Sequence, residues 1–255
     1  MKPLELFIKK DITLNEDLYN LVAGKRIAIV GPAPYLKGKN EGDDIDNHDI
    51  IVRPNEIIPL SHLRKDYGSR TDIFFCNFGN MWMDGIERKI NTDDHLEHFK
   101  NLKLVVSSGI KAKHADTDFL SWPDDHTNEI TTNFQSINKY DIPFYWIGVP
   151  DYKALYRKVG VEFNTGFAAI LMLLYYPVKE ITLKGFTFFT GGNSYEELFC
   201  EGHMDEKDKE GRSFGFHSGH GAHAHMRQIE YFKNLYQENK EVLNVDSEIK
   251  QILSI

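Results

Sequence analysis

The sequence predicts an α/β protein with a mostly parallel central sheet. Two observations carry this. Short apolar runs recur with little polar alternation, as in strands covered on both faces. Helical patterns fall between those runs, and the clearest unit, residues 165–189, passes from an apolar helix through Pro177 to the strand-like "EITLKGFTFF". Strands are expected at 27–30, 50–53, 73–77, 104–107, 144–147 and 181–186. In chain order, "NEDLYNLVAG" reads as a helix with Gly24 as its C-cap, and "DDHLEHFKN" as a short amphipathic piece. "FAAILMLLYY" is apolar nearly all round, hence a buried helix capped by Asn164 or Thr165 and ended by Pro177. "HMRQIEYFKNLYQENKEV" carries Met226, Ile229, Phe232, Leu235 and Tyr236 at helical spacing, giving a long helix with one buried face.

The 255 residues can bury one sizeable core, and no repeat or linker divides them, so one domain over 1–255 is expected. A net charge of −8 removes a chain-wide basic footprint for nucleic acid but not a local basic cleft. No run reaches the roughly 18 apolar residues of a membrane span, and the first twenty residues lack a signal-peptide core. Cys76 and Cys200 are the only cysteines, and they read as two free buried thiols of a cytoplasmic protein.

Ligands of such sheets sit at the carboxyl ends of the strands. That nominates the loops at 31–39 and 185–193 (Gly31 and Gly185), Asn55, and the turn at Asn164, Thr165 and Gly166. The Gly31 loop follows a strand as a dinucleotide fingerprint would, but Pro32 and Pro34 remove amides that a pyrophosphate cradle uses. A ligand with less phosphate suits it, as does a bare strand-to-helix turn. "NTGFAAIL" opens a helix with free amides, a hydroxyl and a glycine, which favours an anion, though a plain N-cap has the same letters. "FHSGHGAHAHMRQIE" holds His217, His220, His223 and His225. These could ligate a transition metal, provide one general base at the start of the last helix, or form a solvated loop. The acidic "NEGDDIDNHD" lacks a calcium-loop pattern and reads as a solvated loop.

Taken together, these stretches resemble the sialyltransferase family, glycosyltransferase family 29. "IAIVGPAPYLKGKNEGDDIDNHDIIVRPN" resembles its long motif, "EFNTGFAAILMLLYYPVKEITLKGF" its short motif, and "HMRQIE" its His-x4-Glu motif, while "YGSRTDIFF" is similar to a connecting stretch. The resemblance implies a single-domain, Rossmann-like, GT-A-variant glycosyltransferase that needs no metal or other cofactor. It would invert the anomeric centre while moving sialic acid, or a related 2-keto sugar acid such as Kdo, from a CMP-activated donor to a glycan or glycolipid hydroxyl. It assigns Gly31 and Asn55 to CMP, and Thr165 and Gly166 to the nucleotide or the donor carboxylate, with Asn164 and Gly185 on the same rim. His225 would be the base, with His223 the substitute if the register slips. Glu230 would support local structure. His217 or His203 would supply the third-motif histidine, and His217 would sit at the departing phosphate. The segment 190–222 reads as a lid. Pro32 stands where the family commonly has asparagine, and the bridge cysteines of the Golgi members have no counterpart, Ile27 occupying one place. Two other classes fit some of these residues: a metal hydrolase using the histidine cluster, and a nucleotide-sugar binding protein without turnover.

Overall fold

In a computed structural model of the chain the described residues are 12–54, 61–76, 99–107, 134–136, 138–160, 163–188 and 225–255. Seven strands form one sheet: β1 Arg26–Val30, β2 Ile50–Pro54, β3 Ile73–Cys76, β4 Leu104–Ser107, β5 Phe144–Trp146, β6 Glu180–Lys184 and β7 Leu243–Val245. Their order is β5-β4-β3-β2-β1-β6-β7, and every neighbouring pair is parallel. The order runs one way from β1 to β5 and reverses at β6, so the switch point lies between β1 and β6. Their register aligns Ile27 with Ile50 on one side and Ile181 on the other.

Seven helices accompany the sheet among the described residues: α1 Glu16–Val22, α2 Gly42–Asp46, α3 Arg64–Tyr67, α4 Val149–Val159, α5 Thr165–Leu173, α6 His225–Glu238 and α7 Ser247–Leu253. Alternate strand positions feed opposite faces, as a period of two requires. Ile27, Ile29, Ile50, Val52, Ile73, Phe75, Leu104 and Val106 pack on one face with α4, α5 and α6. Ala28, Val30 and Ile51 pack on the other with Leu36, Ile45, Leu63 and Tyr67. Helix α5 is buried along its whole length, which is why its sequence needs no polar side.

Several boundaries differ from the sequence expectation. Helix α1 is capped by Ala23, and Gly24 follows in the left-handed region (φ +69°), its amide donating to Pro177. Helix α5 stops at Leu173, with a turn through Tyr176 ahead of Pro177. Strand β6 stops at Lys184 because Gly185 turns to φ +76°. The last long helix ends at Glu238, and β7 and α7 follow it unanticipated. Helix α4 was also unanticipated, although it has Pro150 in its first turn and Gly160 in the left-handed cap position. Met226 does not join the buried face. It is 72% exposed, while Ile229, Phe232 and Leu235 are buried. The acidic cluster is no solvated loop either; it forms α2 and binds partners described below. Of "DDHLEHFKN" only the final residues are described.

Candidate active site

The two prolines after β1 have a structural role. Pro34 opens a 3-10 turn, Pro34–Leu36, for which its fixed φ is preset. That turn presents Tyr35 to the end of β6. The Tyr35 hydroxyl accepts from the amides of Gly185 (2.8 Å) and Phe186 (3.1 Å), and donates to Asp246 Oδ2 (2.7 Å). Burial and then the charge of Asp246 push the phenol above its ordinary range. Burial likewise raises Asp246, even though its carboxylate also accepts from Ile249 as the N-cap of α7 (2.8 Å).

Beneath this turn, just past the ends of parallel β1 and β6, the two backbones come into close contact at two glycines. The Gly31 amide donates to Lys184 O (2.8 Å), and the Ala33 amide to Gly185 O (3.0 Å). A Cβ on Gly31 would lie 2.2 Å from the Gly185 carbonyl oxygen, and one on Gly185 2.5 Å from that of Gly31. Only glycine allows that approach. It is the switch point, where open sheets of this kind bind ligands.

Much of the stretch between Gly31 and Pro54 braces this point. Buried Lys184 binds Glu41 (2.6 Å) and Asp44 (2.8 Å), fastening α2 to β6. Burial pulls the ammonium pKa down, but the bonds to Asp44 and Glu41 outweigh it and the net shift is up. The bond from Lys184 holds Asp44 below the usual carboxylate range. His48 is buried, with Nδ1 3.0 Å from Asp44 O and Nε2 3.2 Å from Thr182 Oγ1. Asp46 accepts from the Ser69 amide and hydroxyl (both 2.7 Å). Arg53 is fully buried. Its Nε donates to Arg70 O and Thr71 Oγ1 (3.1 Å each) and its Nη2 to Tyr67 O (2.6 Å), and burial lowers its pKa to about 10. These side chains carry the resemblance to the long motif, and their bonds here are to the protein.

Across the switch point lies the start of α5. Asn164 caps it, its Oδ1 accepting from the Phe167 amide (2.9 Å). The first-turn amides of Thr165 and Gly166 have no preceding helical carbonyl to serve, which is the ordinary condition of an anion-binding helix start. Gly166 sits against the ends of two strands. A Cβ there would lie 2.9 Å from the Phe186 ring and 3.7 Å from Pro54. Asn164 Nδ2 donates to Gln228 Oε1 (3.1 Å), and Gln228 is buried in the first turn of α6. Phe188 also reaches α6, its ring 4.7 Å from that of Phe232 while its backbone is held at φ +50°. Strained backbone of this kind persists only where packing fixes it.

Of the residues nominated from sequence, Gly31, Asn164, Thr165, Gly166 and Gly185 meet around one point, and the Gly185 amide is committed to Tyr35. His225 is the first residue of α6, the helix that Asn164 and Gln228 join to the others. Glu230 is exposed on α6. Asn55 follows Pro54 directly but lies outside the described residues, as do His203, His217, His220, His223, Cys200 and the segment 190–222. Cys76 is buried. Among the described residues no group of three metal-ligating side chains occurs, and no helix is long and apolar enough to cross a membrane. Sequence reading missed Tyr35, Asp246 and Gln228. Only Gln228 left a signal: it is a polar residue at helical spacing with Phe232 and Leu235, on the buried stripe.

A doubly wound parallel sheet, with two glycines in close contact at its switch point and a helix start beside it, defines the class of open α/β proteins that bind ligands at that point. Residues 4–119 match the glycosyltransferase family 29 (sialyltransferase) model. The matched residues hold β1 to β4 and end before α5. A crystal structure of a mammalian sialyltransferase shares the fold at 18% identity and a TM-score of 0.50, covering 94% of this chain and 76% of that one. A mammalian sialyltransferase in complex with Gal-beta-1-3GalNAc-ortho-nitrophenol aligns at 17% identity with a TM-score of 0.49, over the same shares. No curated protein matches the sequence.

Proposed function

We propose that this enzyme is an inverting glycosyltransferase that moves sialic acid, or a related 2-keto sugar acid such as Kdo, from its CMP-activated donor to a glycan or glycolipid hydroxyl. One observation carries the reading: Gly31, the Pro54 end of β2, Thr165–Gly166 and the start of α6, far apart in sequence, converge on one switch point. CMP carries a single phosphate, so a site with one helix start and a proline-built loop suits it better than a pyrophosphate does. The Thr165 and Gly166 amides would take the donor's carboxylate or phosphate, Gly31 and Asn55 the nucleotide, and His217 the departing phosphate. His225 would accept the proton of the acceptor hydroxyl as that oxygen bonds the anomeric carbon and the carbon–phosphate oxygen bond breaks, CMP leaving with the electron pair. The enzyme we propose would be a single GT-A-like domain in which Glu230 supports α6 and no metal takes part. The setting we propose is cytoplasmic.

The test is turnover of CMP-sialic acid and of CMP-Kdo with galactose-terminated oligosaccharides, with and without EDTA, beside thermal shifts with CMP, CDP and UDP. CMP at 100 times its dissociation constant should stabilise the protein by about 2.7 kcal/mol. H225A should retain that shift and lose transfer by roughly 10²- to 10⁴-fold. No CMP shift, or transfer abolished by EDTA and restored by zinc, would overturn the reading.

A further inference from the structure

The hydrogen bond from Asn164 to Gln228 joins the start of α5 to the helix that begins at His225. Gln228 stands three positions past His225, about 4.5 Å along the helix axis. It is 2% exposed, on a stripe otherwise filled by Phe232 and Leu235. An apolar side chain would fill such a place without a polar group to satisfy, so the amide needs a reason. Its partner, Asn164, already spends Oδ1 on capping Phe167, and that cap fixes the rotamer from which Nδ2 reaches Gln228. The two amides thus form a rigid strut from the α5 backbone to the first turn of α6. Apolar packing holds α6 from Ile229 onward, with Phe232 against the rings of Phe167 and Phe188, and the strut ties down the turn ahead of it.

We propose that Gln228 is a positioning residue that sets position 225 against the Thr165–Gly166 turn. The catalytic part of this inference rests on His225 being the base; the strut itself does not. An enzyme whose base belongs to one helix and whose donor site belongs to another needs their separation fixed within a fraction of an ångström, and misplacement by 1 Å can cost about 100-fold in rate.

The experiment uses the full chain. Gln228→Met keeps length and burial but removes the acceptor; Asn164→Ser keeps a capping oxygen but removes the amide donor. Amide hydrogen exchange is read for residues 229–231, whose amides donate to the first-turn carbonyls, and for 232–238, and kcat and donor KM are measured with CMP-sialic acid. Exchange in 229–231 should quicken at least tenfold in Q228M while 232–238 stays unchanged. Turnover should fall roughly 10- to 100-fold with donor KM within threefold, and N164S/Q228M should be no slower than the slower single variant. Unchanged exchange in Q228M would overturn the strut whether or not any turnover is found. Quickened exchange with kcat within threefold of wild type would overturn its catalytic consequence. H225A retaining full transfer would sink the base assignment alone, and Q228M exchange would still decide the strut.

Discussion

Replacing Tyr35 by phenylalanine removes one oxygen and strips a partner from three groups: the amides of Gly185 and Phe186 and the carboxylate of Asp246. All three are partly or wholly buried, and a buried donor or acceptor left unmet costs about 1–3 kcal/mol. Y35F should therefore lose about 2–3 kcal/mol in urea unfolding. D246N should lose a similar amount, since its nitrogen offers nothing to a hydroxyl that already accepts twice. Because the groups form one network, Y35F/D246N should cost clearly less than the two singles together. Additive losses, or a Y35F protein as stable as wild type, would show that the hydroxyl is not the hub of that network. The same residue shows why part of the site was hidden in the sequence. A tyrosine behind Gly-Pro-Ala-Pro carries no mark of a bond to residues 150 and 211 positions away.

At the scale of elements, two glycines separate shape from mere conformation. Gly24 and Gly31 both flank β1, but Gly24 has open space around a notional Cβ at φ +69°, whereas Gly31 meets a carbonyl oxygen at 2.2 Å. G24A should therefore cost only about 1 kcal/mol, the penalty of a left-handed alanine. G31A should be several-fold worse, shifting the thermal midpoint down by many degrees or leaving no folded protein, because backbone faces backbone and neither side can swing away. Equal midpoints for the two variants would mean that β1 and β6 can part at no cost. Strands were the most legible elements, because a sheet covered on both faces needs uninterrupted apolar runs such as "IAIV" and "LVVS". The short strand β7, with its buried–exposed–buried Leu-Asn-Val, has no such run and takes its place from pairing with β6. Candidate site positions were legible where backbone shape dictates the residue, as at Gly31 and Gly166. They were illegible where a side chain serves a distant amide, as Gln228 does.

For the molecule as a whole, Lys184 couples the sheet to the acid-sensitive surface. The pKa of Asp44 is depressed in the folded state, so its contribution is present above the ordinary carboxylate range, near 4, and lost as pH falls through the lowered value. The pKa of Lys184 is raised, so its contribution is complete below its ordinary value, near 10.4, and lost only at higher pH. Between about pH 5 and 9 the bridge should thus be constant. K184M should lie below wild type by a fixed urea midpoint difference across that window, and the difference should shrink as pH falls below about 4. A difference that grows towards acid would mean that Asp44 gains nothing from the lysine.

The reversal of strand order between β1 and β6 also sets a timetable. Strand β1 is made early, yet its neighbour on one side is β6, which begins at Glu180. A ribosome adding roughly 5–20 residues per second takes on the order of ten seconds to travel from β2 to β6. Throughout that interval the flank of β1 that will carry the Gly31 contact has no strand to pair with. An unpaired edge of this kind invites the wrong partner. The switch point is thus among the last parts of the sheet to exist, and a newborn chain is exposed at the place where the finished fold brings two glycine backbones together.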